Sequence, residues 1–213
     1  MSDTTIVRTP LRSPLATAHG RRGAEVAVED GAEFVRSYGD REAELATVRS
    51  AVGVADVTVR GKIDVRGDVE RTVSLFPAGV VARIADDWAL LLAPPGPLED
   101  RVASMQTAAG ASTMITDATH LFAGFALAGP LVGEAVARLT SWDPATLAPG
   151  RATGAPIADV RAVVVRREGQ LDVLELYPAM ELARYVWEES VAVVERLGGA
   201  PVGWDALHAE GWR

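Results

Sequence analysis

The 213-residue chain contains no cysteine. That alone excludes disulfides, thiolate metal sites and cysteine nucleophiles. Lysine is nearly absent, so the 21 basic residues are almost all arginine, set against 29 acidic ones for a formal net charge of −8. An acidic surface repels nucleic acid and anionic membranes, so neither is expected as a partner. Long hydrophobic runs are missing as well. The longest, Trp88–Ala93, reads Trp-Ala-Leu-Leu-Leu-Ala, far short of the roughly 20 residues of a membrane-spanning helix. The N-terminus is polar and carries no apolar signal core, so a cytoplasmic location is expected. Serine nucleophile elbows, P-loops and dinucleotide-binding glycine turns are absent. His19, His120 and His208 lack metal-ligand spacing, which points to ordinary structural roles and no metal.

What is present is ordinary for a globular protein: 48% hydrophobic and 23% charged residues. The length suits one large domain or two small ones sharing a core. Residues 1–20, with prolines and Ser/Thr but no periodicity, read as an extended arm. Residues 21–213 read as one domain in two halves, about 21–110 and 111–213. Periodicity and turn signals predict helices over 41–51, 69–76, 98–109, 131–139 and 179–197. They predict strands over 24–28, 62–66, 112–116, 122–128, 160–165 and 173–177, and a hairpin of 80–84 with 88–93 around Asp86-Asp87. Residues 141–154 read as a loop. Tight turns between strand pairs favour a two-layer α+β domain with mostly antiparallel sheet.

The chain nearly repeats itself. Asp56-Val-Thr precedes a strand and then Val65-Arg-Gly67-Asp68, which opens a helix. Asp117-Ala-Thr precedes a strand and then Leu127-Ala-Gly129-Pro130, which opens another. Asp and Thr can bond nearby backbone N–H groups in a turn, and glycine permits a tight strand-to-helix corner. Two such halves would pack as a pseudo-symmetric pair around a cleft.

This order of motifs resembles the folate-binding module of the glycine-cleavage T-protein (aminomethyltransferase) family. Ser13-Pro-Leu, His19 and Gly23-Ala24 match its opening stretch. Asp56-Val-Thr with Val65-Arg-Gly-Asp and Asp117-Ala-Thr with Leu127-Ala-Gly-Pro match its two blocks. Glu175-Leu-Tyr, Tyr185-Val-Trp187 and Pro201-Val-Gly-Trp-Asp-Ala match its closing segments. Within the family the chain looks most like the gamma subunit of heterotetrameric sarcosine oxidase. The resemblance implies an α+β fold of two pseudo-repeated ferredoxin-like halves without the family's C-terminal β-barrel, around a channel that can hold tetrahydrofolate.

Two family features are altered. The Gly-Gly-x-x-Asp-Asp loop is replaced by Val81-Ala-Arg-Ile-Ala-Asp86-Asp87-Trp88. Its carboxylates are either remnants of acid–base chemistry or a solvated hairpin turn. The Tyr-Thr-Gly turn is lost from Arg166-Arg-Glu-Gly-Gln-Leu-Asp-Val-Leu-Glu175. Glu175 matches the glutamate that contacts the pterin, where a carboxylate accepts two N–H bonds. It could equally face water or an arginine. Arg166 and its neighbour are candidates for the glutamate tail of a folate. Glu175 and Arg166 are therefore the candidate cofactor-binding residues, with tetrahydrofolate the cofactor, and no catalytic residue is named. The resemblance implies a non-catalytic accessory subunit of a sarcosine (N-methyl amine) oxidase. Its partners would be alpha-, beta- and delta-type subunits carrying FAD, FMN and NAD. The alternative is a tetrahydrofolate-dependent one-carbon transferase or folate-binding protein.

Overall fold

The computed structural model describes residues 9–74 and 79–213. The N-terminal region forms a small sheet of β1 (Leu11–Arg12), β2 (Glu25–Glu29) and β3 (Ala32–Ser37) in the order β1-β3-β2, with helix α1 (Ala16–Arg21) between β1 and β2. Within the stretch expected to be an extended arm, residues 1–8 lie outside the described residues. The remainder is tied down instead, because Leu15 and His19 are buried. Helix α2 (Arg41–Ser50) follows, its first turn capped by Asp40, whose carboxylate accepts from the Ala43 N–H at 2.9 Å.

The first half is ferredoxin-like. It runs β5 (Gly61–Arg66), α3 (Val69–Val73), β6 (Val80–Ala85), β7 (Trp88–Ala93), α4 (Glu99–Ala109), β8 (Met114–Asp117). Its four strands pair antiparallel in the order β6-β7-β5-β8. The helix expected over 69–76 ends at Val73, and residues 75–76 lie outside the described residues.

The second half runs β9 (Phe125–Ala128), α5 (Val132–Ala137), β10 (Ala152–Ile157), β11 (Val160–Arg166), β12 (Val173–Pro178), α6 (Ala183–Arg196) and β13 (Ala200–Pro201). Helix α7 (Trp204–Ala209) follows it. Its sheet is β10-β11-β12-β9-β4-β13, where β4 (Gly53–Asp56) comes from the chain ahead of the first half. The first three residues of strand β10 fall in the stretch 141–154 expected to be a loop, and no strand was expected over the rest of it. Its Gly154 and Pro156 hide it from pattern reading, and it tolerates them because it is an edge strand. Helix α6 starts at Ala183 rather than 179, after a 3-10 turn over Met180–Leu182.

The sequence repeat is realised as an exchange between halves. Strand β4 leads into β5 but pairs with β9, and β8 leads into β9 but pairs with β5. The two crossings make the same bonds. Asp56 accepts from the Thr58 N–H at 2.8 Å and Asp117 from the Thr119 N–H at 2.9 Å. The Thr58 hydroxyl accepts from the Gly124 N–H and the Thr119 hydroxyl from the Lys62 N–H, both at 3.1 Å. The Val57 and Ala118 N–H groups donate to the carbonyls of Gly124 and Lys62, each at 2.8 Å. The α+β class with two pseudo-repeated ferredoxin-like halves is thus as expected, and no sheet among the described residues closes into a barrel.

Strand β12 is buried on both faces. Leu174 and Leu176 meet Val186, Trp187 and Val194 of α6 on one side. On the other, Tyr177 packs with Val163 and Val165 against Ala82, Leu90 and Leu92 of the first sheet. Side chains alternate along a strand, so Glu175 shares the face of Tyr177 and points between the halves. None of the described helices is long and apolar enough to cross a membrane.

Candidate functional site

Glu175 is fully buried, and its carboxylate is surrounded by donors. Oε1 accepts from Arg60 Nη1 at 2.9 Å, Arg167 Nη1 at 2.7 Å and the Trp212 indole Nε1 at 2.7 Å. Oε2 accepts from the Tyr177 hydroxyl at 2.8 Å. Each donor comes from a different place in the chain: Arg60 from the first crossing, Arg167 from the end of β11, Tyr177 from two residues along β12, Trp212 from beyond α7. Burial opposes the charge on Glu175. The Arg60 and Arg167 guanidiniums, helped by the Trp212 and Tyr177 hydrogen bonds, outweigh it and hold the carboxyl below the usual range. Burial, together with the Glu175 charge, pushes the Tyr177 phenol well up, so it stays a donor.

Trp212 belongs to an aromatic cluster. It meets Trp204 edge-on at 5.3 Å between centroids and stacks on His208 at 5.4 Å, and Trp204 stacks on Phe34 at 4.5 Å. The Arg60 guanidinium lies 5.0 Å from the Trp212 ring centroid. A pocket of about 260 Å³ adjoins this cluster; Phe34, Arg60, Trp204, His208 and Trp212 are among its lining, and Glu175 is not.

Arg166 does not join Glu175. Its guanidinium forks onto Asp172 at 2.7 and 3.1 Å and reaches the Leu147 carbonyl, which anchors the β11–β12 turn. Its neighbour Arg167 takes the inward place. Asp86 and Asp87 sit exposed on the β6–β7 turn.

A second buried cluster joins Ser13, His19 and Asp56. Ser13 Oγ donates to Asp56 Oδ2, which also meets His19 Nε2 at 2.8 Å, while His19 Nδ1 meets the Tyr38 hydroxyl at 2.8 Å. Burial opposes the Asp56 charge, but the His19, Ser13 and Thr58 bonds win and lower its pKa. The residue types are those of a hydrolytic triad, but the order is not. Nucleophilic catalysis needs the imidazole between serine and carboxylate, and here the carboxylate is central. The cluster ties the N-terminal segment to β4 and leaves the serine without a base.

No family model matches the chain. Among curated proteins it is 30% identical over 227 residues to the aminomethyltransferase of Parafrankia sp., covering 90% of this chain and 60% of that protein. It is 24% identical over 224 residues to that of Acidobacterium capsulatum, covering 90% and 59%. The chain is similar to aminomethyltransferases over nine-tenths of its length. Because it spans about three-fifths of these relatives, their activity does not come with the likeness. Solved structures share the fold, two of them as follows. The glycine cleavage aminomethyltransferase T of Bartonella henselae has a TM-score of 0.78 at 19% identity, over 93% of this chain and 61% of that one. The heterotetrameric sarcosine oxidase of Corynebacterium sp. U-96, in complex with pyrrole 2-carboxylate, has a TM-score of 0.59 at 16% identity, over 76% of this chain and 94% of the matched chain.

In this chain, Arg60, Tyr177 and Trp212 were not singled out by sequence as site residues, whereas Arg167 was a candidate only for the glutamate tail of a folate. Tyr177 was legible, since it lies two residues from Glu175 on one strand. Arg60 follows the Asp-x-Thr block directly. Trp212 lies far away in sequence, and no local pattern announces it.

Lys62, the chain's only lysine, sits at the crossing, fully buried. Its Nζ donates to the carbonyls of Thr58 at 2.7 Å and Arg60 at 3.0 Å, with Thr119 at 3.5 Å. Burial, opposed by the Asp56 charge and aided by that of Arg60, pushes its pKa down to about 7. The unfolded chain therefore binds more protons between pH 7 and about 10.4, so this group makes stability rise with pH there, by up to ~1.4 kcal/mol per unit. The slope ends below pH 7, where both states are protonated. With ¹³C-labelled lysine the folded protein gives one ε-carbon resonance, expected to titrate near pH 7. A midpoint near 10 would refute the assignment.

Proposed function

We propose that the chain is a non-catalytic accessory subunit of an amine-oxidising flavoprotein assembly of the heterotetrameric sarcosine oxidase type. The closed state of Glu175 carries this reading. Four donors from the chain itself occupy the carboxylate that the resemblance assigns to a pterin. A pterin edge needs two acceptor sites on one carboxylate; Oε1 already accepts from three donors and would have to release at least one, while Oε2 accepts only from Tyr177. As arranged the carboxylate is not open to a pterin edge, which weighs against the transferase alternative. The likeness to a sarcosine oxidase chain that is matched over 94% of its length supports the subunit role. In this reading the alpha-, beta- and delta-type subunits carry FAD, FMN and NAD, and this chain supplies surface and rigidity.

Co-expression with such subunits tests it. The expected result is stoichiometric co-elution on size exclusion, with amine oxidation only in the assembly. A chain that elutes apart as a monomer while the other subunits assemble without it would contradict the reading.

A further inference from the structure

Strand β2 is the outer edge of the three-stranded N-terminal sheet and pairs only with β3 among the described residues. Edge strands with free N–H and C=O groups recruit other strands unless charges (lysine above all), proline, bulges or a cover blunt them. Strand β2 reads Glu-Val-Ala-Val-Glu and has neither lysine nor proline, its one irregularity being a bulge at Glu25/Val26. Val26 and Val28 are 53% and 56% exposed and, two residues apart, share one face. They are two of the five large hydrophobic residues exposed among those described.

Charge decides which strand fits. The segment is a palindrome. A second copy added antiparallel about Ala27 would set Glu25 against Glu29 twice, and like charges directly opposite destabilise a pair. The Glu29 side chain makes no hydrogen bond or ion pair among the described residues, and that of Glu25 has only a 3.6 Å contact with the exposed Arg41 and a 3.5 Å bond from Ser37, although both charges also act on Arg36. The edge thus repels itself and presents unspent negative charge at both ends of an apolar pair.

We infer that β2 is a docking edge that accepts an extended segment of a different protein by strand addition, one with Lys or Arg at both ends of an alternating apolar stretch. This deepens the subunit reading by naming the surface and the chemistry of the partner. It rests on that reading only for which protein supplies the segment.

A charge-reversed copy of the chain serves as the probe. Wild type is mixed with the Glu25→Lys/Glu29→Lys variant, which sets lysine opposite glutamate at both ends, and mass is read by analytical ultracentrifugation. The expected result is that each alone is monomeric, that the equimolar mixture forms a 1:1 dimer at tens of micromolar, and that Val26→Asp/Val28→Asp in the wild-type partner abolishes it. All four positions are exposed, and a thermal melt of each variant checks folding. Monomers only in the mixture, a dimer indifferent to the aspartates, or wild type dimerising through β2 would each overturn the inference. A mixed dimer from a chain that fails to join oxidase subunits would leave the edge standing and remove the subunit reading. Assembly with those subunits without a mixed dimer would do the reverse.

Discussion

Glu175→Ala is expected to cost about 3–5 kcal/mol of folding stability, because it strands two buried guanidiniums at once. The Arg60 and Arg167 side chains are 5% and 11% exposed, and both lose the carboxylate that neutralises them. The Trp212 indole and the Tyr177 hydroxyl lose their acceptor in the same step. Urea melts at pH 7 measure the effect, and a loss under 1 kcal/mol would mean that the cluster relaxes into water and is not a closed network. The same carboxyl sets an acid limit. Its folded pKa is depressed, so its contribution is fully present above the unfolded value of about 4.3 and is lost as pH falls through the folded one. Asp56 is lowered in the same direction. Wild type should therefore lose stability progressively below about pH 5, and Glu175→Ala should show a shallower acid slope.

Gly67→Ala and Gly129→Ala are expected to destabilise by similar amounts, at least ~2 kcal/mol each. Both glycines turn a strand into a helix with φ of +110° and +127°. A Cβ on Gly67 would stand 2.4 Å from the Ser112 carbonyl oxygen, and one on Gly129 would stand 2.6 Å from that of Ala51. Ser112 and Ala51 precede the exchanged strands β8 and β4 at equivalent places, so each corner closes against the strand that the other half contributes. The obstacle is backbone in both cases, so no side chain can move aside. Gly133→Ala, half-buried on helix α5 with nothing near its Cβ, serves as the control that should not destabilise. If one corner tolerates alanine and the other does not, the two halves are not mechanically equivalent.

Much of this was legible because the fold is built twice. Asp56-Val-Thr and Asp117-Ala-Thr announce the crossings, and their glycines announce the corners. Strong periodicity placed α2, α4, β11 and β12. What pattern reading missed has physical causes. The β3 segment Ala-Glu-Phe-Val-Arg-Ser mixes charged and apolar residues without clean alternation, since tertiary packing rather than propensity makes it a strand. Strand β10 carries glycine and proline, and α1 is too short to show a period. At the candidate site, Glu175 was picked out by the family resemblance, while its strand alone left it facing water or an arginine. Trp212 was not, since it reaches Glu175 only through the path of α7 across the core, a contact 37 residues apart in sequence. Arg166 and Arg167 are adjacent, and only the register of β11 decides which turns inward.

Isothermal calorimetry with tetrahydrofolate, under anaerobic conditions and up to millimolar ligand, tests the central claim that donors of the chain itself occupy both oxygens of Glu175 in place of a pterin. The account predicts no binding heat from the wild-type chain. Saturable binding by wild type, abolished in a folded Glu175→Gln variant, would contradict it and make this a working folate domain.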